Sequence, residues 1–61
     1  MRIRITSTKL EKETVEEIQK MTNKLVKMNC SAHAIMYYIV EEYGYSTCIK
    51  YENDVAVIKI F

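Results

Sequence analysis

The sequence contains no proline and a single glycine, Gly44. Because these two residue types mark linkers and loops, their scarcity predicts one compact unit with no linker, low-complexity segment or internal repeat. One glycine cannot supply the glycine-rich loops that bind phosphates or dinucleotides, so those nucleotide-binding fingerprints are excluded. We therefore expect a single domain over residues 1–61.

The chain also lacks a long apolar run and a strong excess of charge of either sign. Nine Lys or Arg residues against eight Asp or Glu residues leave a formal net charge of +1, so any basic site must be local. No apolar run has the length needed to span a membrane, and the start, MRIRITSTKL, has no apolar core of a signal peptide. We expect a cytoplasmic protein with free cysteines and no membrane partner.

Residues that bind metals or perform catalysis are few. Cys30 and His33 have C-x-x-H spacing at a predicted helix start, where Cys48 would be the third ligand. The chain has one histidine and two cysteines, and no orienting Asn or Asp stands at a readable spacing. We therefore predict no catalytic residue, no metal site, no cofactor and no enzymatic activity.

A period-two pattern opens the chain, with Ile3 and Ile5 on one side and Arg2 and Arg4 on the other. This pattern predicts a half-buried strand over residues 2–7. An amphipathic helix A follows over residues 11–28, with glutamates early and lysines late, as the helix dipole favours. Its predicted apolar stripe consists of Val15, Ile18, Met21, Thr22, Leu25 and Met28.

A second helix and a hairpin complete the chain. Ser31 is the predicted N-cap of helix B over residues 31–43, and Gly44 is its predicted left-handed C-terminal cap. The β-rich stretches 45–51 and 54–61 flank END, which predicts a hairpin. The order β-α-α-β-β predicts an α+β fold. Because helix B and the last strand are apolar on nearly all sides, we also expect self-association.

Two stretches resemble a known family. TKLEKETVEEIQKMT is similar to the strand exit and first helix of ribbon-helix-helix repressors of the Arc and MetJ type, in which a leucine precedes a Glu-rich helix. MNCSAHAIMYYIVEEYG resembles their second helix, with the Ser31 cap, the pair Ala34 and Ile35, and a Glu-Glu-Tyr close. The resemblance covers residues 1–44. It implies a homodimeric DNA-binding protein, a transcriptional or plasmid or phage regulator, whose paired N-terminal strands enter the major groove.

The resemblance also implies site residues, but two strand registers compete. If Ile3 and Ile5 face the core, the arginines face the groove, where they can hydrogen-bond guanine. Counting back from Leu10 instead turns Ile5 outward, and both registers cannot hold without a bulge. We predict the first, because isoleucines facing DNA would waste apolar surface. The predicted DNA-binding residues are Arg2, Arg4, Thr6, Lys9, Asn29 and Ser31, and the predicted dimer interface consists of Ile35, Tyr38, Ile39 and Tyr43.

The residues after Gly44 support an alternative. If VAVIKIF pairs with MRIRI inside one chain, the N-terminal strand is not free to form a ribbon with its copy. Two helices would then cover one face of a three-stranded sheet. The other face would show Arg2, Arg4, Lys50 and Lys59 beside Cys48, Val55 and Val57. A mixed basic and apolar face suits a protein partner, which predicts a non-catalytic interaction module or an inhibitor from a mobile element that binds a protein through this face or through helix B.

Overall fold

The computed structural model describes residues 2–61 and contains every predicted element in the predicted order. Strand β1 covers Arg2–Ser7, helix α1 Lys12–Lys27, helix α2 Ala32–Tyr43, strand β2 Thr47–Glu52 and strand β3 Val55–Ile60. The α+β class and the β-α-α-β-β order are confirmed. The bounds of each element differ from the predicted ones by no more than two residues.

Local signals in the sequence account for where the helices end. The Ser31 hydroxyl accepts a hydrogen bond of 3.1 Å from the backbone N–H of Ala34, which is the geometry of an N-cap. Gly44 has a φ of 71°, and its N–H donates to the Val40 carbonyl at 3.0 Å. Asn29, after the end of α1, has a φ of 63°, a conformation that asparagine tolerates better than most residues. These short polar residues and the glycine therefore separate the two helices and the hairpin.

The hairpin turns through two left-handed residues, Asn53 with a φ of 46° and Asp54 with a φ of 66°. Such a pair matches the right-handed twist of the strands on either side, which favours a tight connection. Glu52 lies opposite Val55, so the turn holds only these two residues. The predicted hairpin around END is therefore confirmed.

The sheet has the strand order β1-β3-β2, and the N-terminal strand pairs inside its own chain. β1 runs parallel to β3, with Arg2 opposite Val55 and Ile5 opposite Ile58, while β2 runs antiparallel to β3. A central position suits β3, because its side chains are apolar on both faces. This arrangement is the two-layer alternative, and it differs from a ribbon in which the N-terminal strand pairs with its own copy.

Both helices pack on one face of the sheet and enclose the core. Ile3 and Ile5 are buried while Arg2 and Arg4 are exposed, so the first of the two strand registers is confirmed. The buried apolar side chains are Ile3, Ile5, Ile18, Ala32, Ile35, Ile39, Ala56, Ile58 and Ile60. The predicted stripe of helix A is wrong at its end, because Met28 follows the last helical residue and is 71% exposed.

Two of the residues predicted for the dimer interface lie in the core of the single chain. Ile35 and Ile39 have no exposed surface, because α2 lays them on the sheet. They are therefore not available for contact with a second copy, and this part of the predicted interface is corrected. Tyr38 and Tyr43 keep part of their surface exposed. The chain's own sheet is what covers the apolar side of α2.

Candidate functional site

The face of the sheet opposite the helices is not covered by any part of residues 2–61, and it carries most of the polar strand side chains. Successive side chains of a strand point to opposite faces, so the partners of the exposed arginines share their side. Arg2, Val55 and Glu52 form one row across the three strands, and Arg4, Val57 and Lys50 form the next. We call this surface the open face; its residues are Arg2, Arg4, Thr6, Cys48, Lys50, Glu52, Val55, Val57 and Lys59.

Charge is distributed unevenly between the open face and the rest of the molecule. The open face holds four of the nine cationic side chains and one of the eight carboxylates, a formal net charge of +3. The remaining residues hold five cations and seven carboxylates, a net charge of −2. The near-neutral total therefore conceals a basic surface on one side of the protein. Such a local field attracts acidic surfaces even when the whole chain is nearly neutral.

Apolar groups lie between the charges of the open face. Val55 and Val57 are half-buried along the central strand. Next to the end of β3, the ring of Phe61 is 50% exposed, and the Lys59 ammonium lies 5.4 Å from its centroid. This distance is within the range of a cation–π contact. The open face thus combines an apolar centre with charged surroundings.

A groove of about 500 Å³ runs along the outer edge of β1, between that strand and α1. Three cationic side chains line it, from Arg2 and Arg4 on β1 and Lys27 in the last turn of α1, and the lining contains no carboxylate. The other lining residues are Ile3, Gln19, Asn23, Val26 and Val55. Because Arg2, Arg4 and Val55 belong to both surfaces, the groove extends the open face around the edge of the sheet.

Gln19 closes the outer edge of β1. Its side-chain oxygen accepts a hydrogen bond of 2.8 Å from the Ile5 N–H, and its side-chain nitrogen donates to the Ile3 carbonyl at 2.8 Å. The same nitrogen donates to the Asn23 side-chain oxygen at 3.0 Å. The amide of Gln19 therefore occupies two of the backbone groups that a neighbouring strand would use, and both of its N–H hydrogens have acceptors.

No protein-family model, curated protein or solved structure matches this chain.

The structure brings together only part of the predicted DNA-binding set. Arg2, Arg4 and Thr6 lie on the open face, whereas the other three residues lie in connections outside the sheet. Lys9 is exposed in the loop after β1, where its backbone N–H donates to the Ser7 hydroxyl at 3.1 Å. Asn29 and Ser31 both precede α2, and the Ser31 hydroxyl is engaged in capping that helix.

Several residues of the basic surface are missing from the predicted set. Lys50 and Lys59 are absent from the predicted DNA-binding set, but the two-layer alternative predicts both on the uncovered sheet face, and the strand register confirms that placement. Lys27 and Gln19 reach β1 from the helix, so their contribution depends on the packing of α1 over β1. Only the spacing of Gln19 and Asn23, four residues apart beside the apolar stripe, could have indicated a polar helix edge.

The candidate metal and thiol residues are separated. Cys48 is exposed on the open face, while Cys30 is half-buried against the core on the other side of the sheet. Across residues 2–61, no three His, Cys, Asp or Glu side chains form a group that could hold a metal ion. In the same range, neither helix has the length and apolar character needed to cross a membrane.

Proposed function

We propose that this protein is a non-catalytic interaction module of the cytoplasm that binds an acidic surface of a protein partner through its open face. The observation that supports it is the net charge of +3 on an uncovered sheet face whose centre holds two half-buried valines. Protein interfaces commonly have an apolar centre and a polar rim, and arginine is enriched in them. Complementary charge would guide the encounter and select among partners.

Nucleic acid is the second candidate, and the four cations of the open face favour it. Arg2, Arg4, Lys50 and Lys59 extend across all three strands, so they could follow a phosphate backbone. Phe61 offers one exposed ring for stacking. The major-groove reading implied by the ribbon-helix-helix resemblance requires the N-terminal strand, which here is paired with β3. DNA binding by a homodimeric regulator therefore remains a prediction from the sequence. If the protein binds DNA, the open face would hold it.

Reversing two charges of the open face tests the proposal. Arg4→Glu combined with Lys50→Glu places two carboxylates beside Val57, and both original side chains are exposed, so the fold should persist. We expect the affinity for a fluorescent peptide of alternating glutamate and valine to fall at least about tenfold, which corresponds to about 1.4 kcal/mol. Fluorescence anisotropy measures the affinity of both forms.

The matched control makes the same change of charge on the exposed side of α1. Lys12→Glu combined with Lys20→Glu alters the net charge equally but leaves the open face intact. We expect this variant to bind the peptide about as well as the unmodified protein. Equal losses in both double variants would contradict the proposal. Tighter binding to random-sequence duplex DNA than to the peptide, with a steep loss as salt rises, would favour the nucleic-acid candidate instead.

A further inference from the structure

β2 is the edge strand opposite β1, and half of its backbone N–H and C=O groups face away from β3. In an antiparallel hairpin with a two-residue turn, the pair closing the turn exchanges hydrogen bonds, and every second pair after it does the same. Here these pairs begin with Glu52 and Val55, and the bond of 2.9 Å from the Phe61 N–H to the Ser46 carbonyl continues the pattern. The N–H and C=O groups of Thr47, Ile49 and Tyr51 therefore point outward.

These outward groups have no partner within the described chain. Over residues 2–61, no side chain or backbone group forms a hydrogen bond to the N–H or C=O of Thr47, Ile49 or Tyr51. The opposite edge of the sheet differs, because the Gln19 amide bonds the Ile5 N–H and the Ile3 carbonyl there. The sheet thus has one edge that a side-chain amide partly occupies and one open edge, and an open edge is a template for a further strand.

The side chains along β2 define what kind of strand fits. On the open-face side, β2 carries Cys48, Lys50 and Glu52, and Lys59 lies opposite Cys48 on the next strand. On the helix side, Ile49 packs against the core and Tyr51 is 60% exposed. An added strand would therefore meet Lys50 at the middle of β2, with Lys59 one strand further, on one side and the partly apolar helix side of β2 on the other. A strand whose residues alternate between acidic and apolar satisfies both sides.

We propose that the open edge of β2 accepts an extended acidic–apolar segment of a partner protein as a fourth strand. This inference rests on the proposed function, because the charge of the open face selects the acidic partner. A second copy of β2 fits less well, since pairing of two copies would join two faces of net charge +3 in one sheet. The outward backbone groups supply the main-chain hydrogen bonds of strand addition, and the alternating side chains supply specificity.

Proline at position 51 tests the inference directly. Tyr51→Pro removes an outward N–H but no hydrogen bond to β3, so the outer strand tolerates it. Tyr51→Val is the matched control, because it also removes the phenol ring but keeps the N–H. We expect Tyr51→Pro to weaken binding of the alternating Glu-Val peptide at least about tenfold relative to Tyr51→Val, as fluorescence anisotropy would show. Circular dichroism verifies that both variants fold.

Amide exchange in the unmodified protein gives a second readout that does not depend on the variants. On addition of the peptide, the N–H groups of Thr47, Ile49 and Tyr51 should become protected from exchange with D₂O. A peptide of the same composition with its glutamates and valines in separate blocks should protect them far less. Binding of the alternating peptide without this protection would overturn the inference, even if Tyr51→Pro failed to fold.

The outcomes separate this inference from the proposed function. If Arg4→Glu with Lys50→Glu weakens binding while Tyr51→Pro binds like Tyr51→Val, strand addition is wrong and the proposed function stands. If the proline variant loses binding and the charge reversal does not, strand addition occurs without the proposed role of charge. Absence of any peptide binding overturns both. A doubled mass in light scattering that Tyr51→Pro returns to the monomer would show that a second copy takes the edge.

Discussion

Replacing Ile58 by alanine is expected to leave much of the protein unfolded at room temperature. Ile58 is the middle residue of the central strand on the helix side, is fully buried, and lies opposite Ile5 on one neighbour and Ile49 on the other. Truncating a buried isoleucine to alanine costs about 2–5 kcal/mol, because packing is lost and a cavity remains. The core of a domain of this size rarely supplies more than about 3–5 kcal/mol of stability, so the loss is comparable to the whole.

A buried polar group further limits the stability that the core provides. The Thr22 hydroxyl is buried and, within residues 2–61, has no hydrogen-bond partner. A buried hydroxyl without a partner costs about 1–3 kcal/mol. Urea denaturation followed by circular dichroism measures the free energy of unfolding of Ile58→Ala. Val57→Ala is the control, because Val57 is the adjacent residue on the open face and is only half-buried. Equal losses in the two variants would contradict the assignment of the core.

Replacing Gln19 by leucine is expected to lower the free energy of unfolding and to promote association between chains. The N–H of Ile5 and the carbonyl of Ile3 both lose their partner at the edge of β1. Leaving such groups unbonded beside an apolar side chain costs about 1–3 kcal/mol. The edge of β1 also becomes open, so the protein would present two free edges instead of one. Exposed edges promote pairing between chains, and we expect association that increases with protein concentration.

Asn23→Leu serves as the control for the Gln19 variant. Asn23 lies one turn further along α1, is exposed, and contacts only the Gln19 amide among the hydrogen bonds of the edge. Its replacement should change the free energy of unfolding by no more than about 0.5 kcal/mol. Light scattering over a range of concentrations reports association of both variants. If Gln19→Leu remains monomeric and as stable as Asn23→Leu, the Gln19 amide does not close the edge.

The local structure of this protein follows from short patterns in its sequence. The alternation in MRIRIT places Ile3 and Ile5 inside and both arginines outside, and the structure confirms it. Ser31 and Gly44 mark the two ends of α2 because each satisfies a specific need of a helix terminus. Such signals act over a few residues, so they could be read without knowledge of the tertiary structure.

Local sequence patterns do not determine which strand pairs with β1. The pattern of a strand shows which of its faces is buried but not which strand lies beside it. Both a ribbon with a second copy and a parallel pair with β3 bury Ile3 and Ile5 equally well. The same ambiguity applies to Ile35 and Ile39, for which the sequence predicts a dimer interface. The apolar side of a helix does not show whether the chain's own sheet or a second copy covers it. Here the hairpin after Gly44 supplies that cover.

The basic surface was predictable only in part for the same reason. Arg2 and Arg4 belong to a local alternation, and their outward direction needs no knowledge of the partner strand. Lys27 becomes their neighbour only because α1 packs over β1 and ends beside its first residues. Gln19 has no functional signal of its own, because its role arises from the position of the strand edge against that helix.

The N-terminal strand belongs to the sheet of its own chain, and this pairing creates the open face. Nuclear Overhauser contacts in a sample mixing isotope-labelled and unlabelled protein test it most directly. We expect contacts within one chain between the backbone protons of Arg4 and Val57 and of Ile5 and Ile58, and none between the Ile3 residues of two chains. Contacts between Ile3 and its own copy, without those to β3, would contradict it.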